Sequence, residues 1–220
     1  MCWNENVSLN TFIFTSCVLI FIWYNNSYTQ YKITDFDSWK VYMVYLSFTS
    51  MQLIEYFLWK SIKQHNVYNN KLFSIIGWII IRIIQPLFLL LLLPNKYSFV
   101  KYLLFIIYSI LLIAVSIYKY FYNPVNFTTV IGKNGHLSWN WIKLYNFEYI
   151  IGYLYLFIFT LLFIKFPIIT LLFFIVCIYC YFNYNTTWGS MWCLICNLIL
   201  MYYLCKILFI LPYNEYNSLC

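Results

Sequence analysis

Charge is scarce in this chain. Six acidic and thirteen basic residues, 9% of 220, are too few to cover a folded domain with water-compatible surface. Ala114 is the only alanine, and five glycines and five prolines leave no room for flexible or low-complexity linkers. Only two histidines occur, His65 and His136, which excludes a histidine-rich metal site. HExxH, GxSxG and P-loop patterns are missing as well. The formal charge of +7 is spread over polar connections without a basic stripe, so nucleic acid is excluded as a partner.

What remains is apolar: 64% hydrophobic residues, a quarter of the chain aromatic. Enrichment in Ile, Asn, Lys, Phe and Tyr with loss of alanine is what an AT-rich coding sequence produces, so aromatic content alone says little about ligands. Eight cysteines would suggest a disulfide scaffold in a small secreted protein. Here Cys17, Cys177, Cys180, Cys193, Cys196 and Cys205 fall in apolar stretches, where cysteine behaves as a small hydrophobe.

The apolar stretches number seven: Leu9 to Tyr24, Trp39 to Trp59, Leu72 to Leu93, Phe99 to Tyr122, Phe147 to Ile164, Pro167 to Phe182 and Trp188 to Leu211. Most approach the roughly 20 residues that cross a hydrocarbon core as a helix. The expected fold is therefore all-α, a polytopic integral membrane bundle of seven transmembrane helices in a single domain over residues 1–220. The lipid bilayer is its principal partner. The fifth and sixth stretches, separated by Lys165 and Phe166, predict a tight hairpin or one broken element, and Pro212 predicts the end of the seventh. The polar lead with Asn4, Glu5 and Asn6 is not the basic opening of a signal peptide, so the first stretch is expected to stay. The connection from Asn123 to Asn146 is too short to fold alone and reads as a flexible loop.

An odd number of spans puts the termini on opposite faces. On the amino-terminal face, face A, lie Lys60, Lys63, Lys71, Lys119, Lys133 and Lys143; on face B lie Lys32, Lys40, Lys96, Lys101 and Lys165. That near balance leaves orientation open, and the sequons at Asn25, Asn126 and Asn185 fall on both faces.

Polar residues gather toward face A. Gln52, Glu55 and Trp59 follow i, i+3, i+7 spacing on the second helix, and Ser190, Cys193 and Asn197 share a stripe on the seventh. Glu55 and Cys193 each lie about five residues inside face A, so their depths match. Met1-Cys2-Trp3-Asn4 and His136-Leu137-Ser138-Trp139-Asn140-Trp141 belong to the same face, as does Glu148. Six tryptophans stand there, Trp3, Trp59, Trp139, Trp141, Trp188 and Trp192, against Trp23 and Trp39 at face B; an interfacial aromatic belt accounts for any one but not for the asymmetry. Arg82 sits near mid-helix with Gln85 one turn on and Pro86 opening the helix ladder. An embedded ionisable group must be paired or watered, and Glu55 is the expected partner of Arg82, as a structural pair or as part of a proton or anion path.

Cys177-x-x-Cys180 and Cys193-x-x-Cys196 match zinc-ribbon spacing formally, but on helices in lipid they read as packing residues, with no metal expected. Cys2, Cys193 and His136 are the residues available for thiol and imidazole chemistry.

Three segments carry a resemblance: Met1-Cys2-Trp3-Asn4, Gln52-Leu53-Ile54-Glu55-Tyr56-Phe57-Leu58-Trp59 and Ser190-Met191-Trp192-Cys193-Leu194. The chain resembles an uncharacterised multi-span membrane family of bacteria, with giant-virus relatives, whose members open Met-Cys-Phe-Ser and carry Gln-x-x-Glu-Gly-x-x-Trp and Ser-x-Trp-Cys-Phe. Tyr56 stands where that family has glycine and Leu194 where it has phenylalanine, which removes the close helix approach a glycine would permit. The resemblance implies a shared fold and a face A site built on Cys2, Gln52, Glu55, Trp59, Ser190, Trp192 and Cys193; it brings no reaction or cofactor with it. Three functions stand open: binding or translocation of a small solute or ion, protons included, as a transporter or channel would, with Glu55 titrating and Arg82 deeper; a membrane-embedded enzyme or redox protein using Cys2, Cys193 and His136; and a structural viral membrane protein whose polar residues only join helices.

Overall fold

The computed structural model describes residues 4–121, 127–142, 149–162 and 165–214. Among these residues seven helices run back and forth: α1 (Glu5–Tyr28), α2 (Trp39–Lys63), α3 (Val67–Leu92), α4 (Ser98–Phe121), α5 (Tyr149–Leu161), α6 (Pro167–Tyr184) and α7 (Trp188–Asn214). Four of them, α1, α3, α4 and α7, are long and apolar enough to cross a membrane. α2 has the length, at 25 residues, but its polar content is higher because it carries Lys40, Gln52, Glu55 and Lys60. α5 is short, at 13 residues.

Cross-links sort the turns into two ends. Lys63 Nζ meets Glu5 Oε1 at 3.0 Å where α2 ends and α1 begins, which defines face A. At face B, Lys165 Nζ approaches Asp37 Oδ1 at 3.5 Å, and the Tyr203 hydroxyl donates to Asp35 Oδ2 at 3.1 Å. α2 is central, packed by α1, α3 and α7, while α4 lies outermost against α3 and α5. The exposed side of α4 is largely apolar, with Ile106, Ile110, Ile113 and Ile117 at i, i+4, i+7 and i+11. Gln52, Glu55, Ser74, Gln85, Ser190 and Asn197 are buried instead. Apolar residues outside and polar residues inside invert the order of a water-soluble bundle.

Several boundaries differ from expectation, each for a local reason. α1 starts at Glu5, where Asn4 Oδ1 caps by accepting from Val7 N at 2.9 Å, and α3 starts at Val67 because Asn66 Oδ1 accepts from Asn69 N at 2.9 Å. Lys165 N and Phe166 N both return to the Leu162 carbonyl, at 2.9 and 2.8 Å, just before α6 begins. Pro212 does not stop α7, which continues to Asn214. A five-residue π turn, Lys206–Ile210, precedes that proline and absorbs the break in the ladder.

α3 uses the same device. Its π turn, Ile80–Ile84, comes just before Pro86, and Gln85 N reaches back to the Ile80 carbonyl. Pro86 has no N–H for the carbonyl four residues earlier, that of Arg82. Tyr108 on α4 supplies the missing donor: its hydroxyl bonds the Arg82 carbonyl at 2.8 Å. The loop between α4 and α5 is not all irregular, as expected from sequence, but forms an antiparallel hairpin, β1 (Thr129–Ile131) and β2 (Leu137–Trp139), with Val130 opposite Ser138.

Tyr108→Phe should therefore destabilise the bundle by about 1 to 3 kcal/mol, the cost of a buried acceptor left without its donor. In a Pro86→Ala background the helix regains its own donor and the same substitution should cost clearly less. Unfolding in detergent checks this, and equal costs in both backgrounds would mean the hydroxyl does not replace the missing helix bond.

Candidate functional site

The hairpin is anchored by residues that α3 presents in two successive turns. Asn70 exchanges two bonds with the Thr129 backbone, Nδ2 donating to its carbonyl at 3.0 Å and Oδ1 accepting from its N–H at 2.9 Å. Ser74, one turn on, shares a 2.9 Å hydrogen bond with the Thr129 hydroxyl, which also accepts from Trp141 Nε1 at 3.2 Å. The far strand is tied to the α6–α7 junction, where Ser138 Oγ donates to the Thr186 carbonyl at 3.1 Å and Asn134 Nδ2 to Thr187 Oγ1 at 2.7 Å. Residues 127–142 of the connection are thus folded on the bundle.

Two indoles carry the hairpin inward. Trp139 and Trp141 stack at 4.9 Å with planes 12° apart, both buried. Glycine makes room for each: a Cβ on Gly77 would lie 3.2 Å from the Trp141 ring, and one on Gly189 would lie 3.1 Å from the Trp139 ring. Of the face A tryptophans, Trp59, Trp139, Trp141 and Trp192 are buried and Trp188 is half-buried, whereas Trp23 and Trp39 toward face B are exposed.

Beneath the hairpin is a cavity of about 390 Å³ between α3, α5, α6 and α7. Its walls include Arg82, Trp139, Tyr155, Trp188, Trp192 and Cys193. Arg82 donates from Nη2 to the Ile142 carbonyl at 3.3 Å, which links the hairpin's end to the cavity's one charged described residue. Gln85 is turned away from it: Oε1 accepts from the Tyr155 hydroxyl at 3.2 Å and Nε2 lies 3.5 Å from the Ser47 carbonyl.

The two predicted stripes do meet. Gln52, Glu55 and Ser190 are completely buried, Cys193 nearly so, and the Glu55 carboxyl is an electrostatic neighbour of the Cys193 thiol. Gln52, Glu55, Arg82, His136 and Ser190 are each engaged by neighbouring groups. Asn197 joins helices: Oδ1 accepts from Thr49 Oγ1 at 3.1 Å and Nδ2 donates to the Cys193 carbonyl at 2.8 Å. Three buried indole N–H groups, on Trp59, Trp139 and Trp192, have no hydrogen-bond partner among the described residues.

Other expectations separate from this cluster. Cys2, Trp3 and Glu148 lie outside the described residues. His136 is buried beside Tyr184, ring centroids 5.8 Å apart, and is not among the residues that line the cavity with Cys193. Cys177, Cys180, Cys193 and Cys196 are free thiols, and among the described residues no three His, Cys, Asp or Glu side chains form a group able to hold a metal.

Sequence reasoning missed Asn70, Ser74, Tyr108, Thr129 and Tyr155. The first two were findable, since an i, i+4 polar pair on an apolar helix marks a contact; the tyrosines were hidden among 24. Comparison with family models, curated proteins and solved structures finds no match to this chain.

Burial lowers the His136 pKa from its ordinary value. The unfolded chain takes up this proton near pH 6.5, about the ordinary histidine value, and the folded chain only at lower pH. The unfolded state therefore binds more protons in that window, and stability should fall as pH drops below about 6.5. His136→Gln should flatten that part of the profile, measured as the unfolding midpoint in detergent. An unchanged slope would assign the acid sensitivity to another group.

Proposed function

We infer that this chain is a multi-pass integral membrane protein of seven spans that binds a small solute in the cavity beneath the face A hairpin. One observation carries the reading: in a bundle whose outer surface is apolar, a cavity of about 390 Å³ holds Arg82, Cys193 and the indoles of Trp139 and Trp192. That size lies within the range of small-molecule sites, roughly 300 to 1,000 Å³, and its few polar groups in an aromatic wall are typical of one. The motif residues Gln52, Glu55, Trp59, Ser190, Trp192 and Cys193 are all buried at this end, which supports common architecture with the family the motifs resemble.

Binding is favoured over conduction by what lies below. Phe48, Phe159, Phe173 and Trp192 form a ring cluster with centroids 5.1 to 6.4 Å apart between this cavity and a water-sized one of about 30 Å³ near Asp35 and Tyr203. An ion path from this cavity to the smaller one would have to cross those rings.

Two measurements test the proposal. Reporters fused beyond each end should lie on opposite sides of the membrane, and placement on one side would refute seven spans. Protein purified in mild detergent should retain a small organic solute by mass spectrometry and pass no ion current in liposomes. An ion flux abolished by Glu55→Gln, with no solute retained, would replace binding by conduction.

A further inference from the structure

At the opposite end of the bundle a surface cavity of about 200 Å³ opens where α2 starts and α3 ends. Its described lining is Ser38 and Lys40 from the start of α2, Leu91 to Asn95 from the end of α3 and the turn after it, and Lys165 from the α5–α6 junction. Leucines therefore share one cavity with two ammonium groups, a hydroxyl and an amide.

The charge around it is one-sided. Lys101, near the start of α4, is an electrostatic neighbour of Lys40, and neither lysine is in an ion pair among the described residues. Of the two described acids at this face, Asp35 accepts from the Tyr203 hydroxyl and Asp37 lies 3.5 Å from Lys165. Three ammonium groups thus gather around one carboxylate, and like charges held together favour an anion among them. Ser38 Oγ accepts from Lys40 N at 3.3 Å, which keeps its own O–H to donate.

The surroundings say where that anion comes from. α3 and α4 are both long enough to cross a membrane, so the cavity at their junction lies at the level of lipid headgroups. Trp39 and Tyr102, next to Lys40 and Lys101 in sequence, are exposed, as aromatic residues at a membrane interface are. Lysine binds phosphate as a point charge on a flexible stem, and a phosphate has enough acceptor oxygens for lysines from two separate elements.

We propose that this face B cavity holds the phosphate of an anionic bilayer lipid, with Lys40 and Lys165 on its oxygens and the acyl chains against the leucines at the end of α3. The step needs only the membrane placement of α3 and α4 and is independent of the face A cavity. Asp37 competes with the phosphate for Lys165.

The test titrates the full chain in mild detergent with dioctanoyl phosphatidylglycerol, dioctanoyl phosphatidylcholine and inorganic phosphate, read by native mass spectrometry. Phosphatidylglycerol should bind saturably and more tightly than the other two. Lys40→Gln with Lys165→Gln should weaken it about 30-fold, roughly fivefold for each lysine, and arginine at both positions should restore it. Asp37→Asn should tighten binding, a direction that damage to the fold would not produce. Lys32→Gln with Lys96→Gln removes the same charge from this face outside the cavity and should change binding less than twofold. Equal weakening by the two double variants, or phosphatidylglycerol binding no tighter than phosphatidylcholine, would overturn the site and leave only diffuse surface charge. Inorganic phosphate that displaces the lipid and is itself lost in the Lys40 and Lys165 variant would overturn the lipid source in favour of free phosphate.

Discussion

The hydroxyl and backbone of Thr129 are the joint on which the face A end depends. Four polar groups, from Asn70, Ser74 and Trp141, close on this one residue. In surroundings this apolar, a polar group without a partner costs several times what a hydrogen bond contributes in water, so the arrangement is held by the penalty for leaving it. Its consequences run outward in order. Fixing Thr129 to α3 sets β1, β1 sets β2 by register, and β2 places Trp139 against Gly189. Trp141 then lies against Gly77, and Ile142 offers its carbonyl to Arg82. The cavity's roof and its charge are thus positioned by a hairpin that has no core of its own.

A second constraint acts through the backbone. Proline inside a helix leaves a carbonyl without its donor, and in an apolar bundle that carbonyl cannot turn to water. Among the described residues, both places where it occurs, Pro86 and Pro212, follow a five-residue π turn that shifts the ladder. At Pro86 the exposed acceptor belongs to Arg82, and the Tyr108 hydroxyl takes it up. Arg82 is therefore held twice, by its main chain through α4 and by its guanidinium through the hairpin. An arginine fixed from both sides works as a wall of a site with defined shape rather than as a side chain searching for headgroups.

Helix number and direction were legible because apolar runs of about 20 residues have few alternatives. So was the inward direction of Gln52, Glu55, Ser190 and Cys193, since polar stripes at helical spacing in an apolar chain have only the bundle to face. Helix ends were less legible: Asn4 and Asn66 extend helices by capping, and a cap looks like any other polar residue before the helix is known. The hairpin was illegible as structure. Its strands are three residues each and owe their order to Asn70 and Thr186, which are far away in sequence. The motif His136 to Trp141 drew attention to the right segment but not to Thr129, whose role no local pattern encodes.

Asn197 and Gln85 show how the same chemistry serves two ends. Both are buried amides at depths where a solute path would run, and both spend their groups on neighbours: Asn197 on Thr49 and Cys193, Gln85 on Tyr155 and Ser47. They close the bundle below the cavity, and the rings of Phe48, Phe159 and Phe173 fill the level beneath. The indole N–H groups of Trp139 and Trp192 are buried without hydrogen-bond partners among the described residues. Satisfied amides and packed rings on one side and an open volume of about 390 Å³ on the other divide the interior into a sealed half and a receptive half.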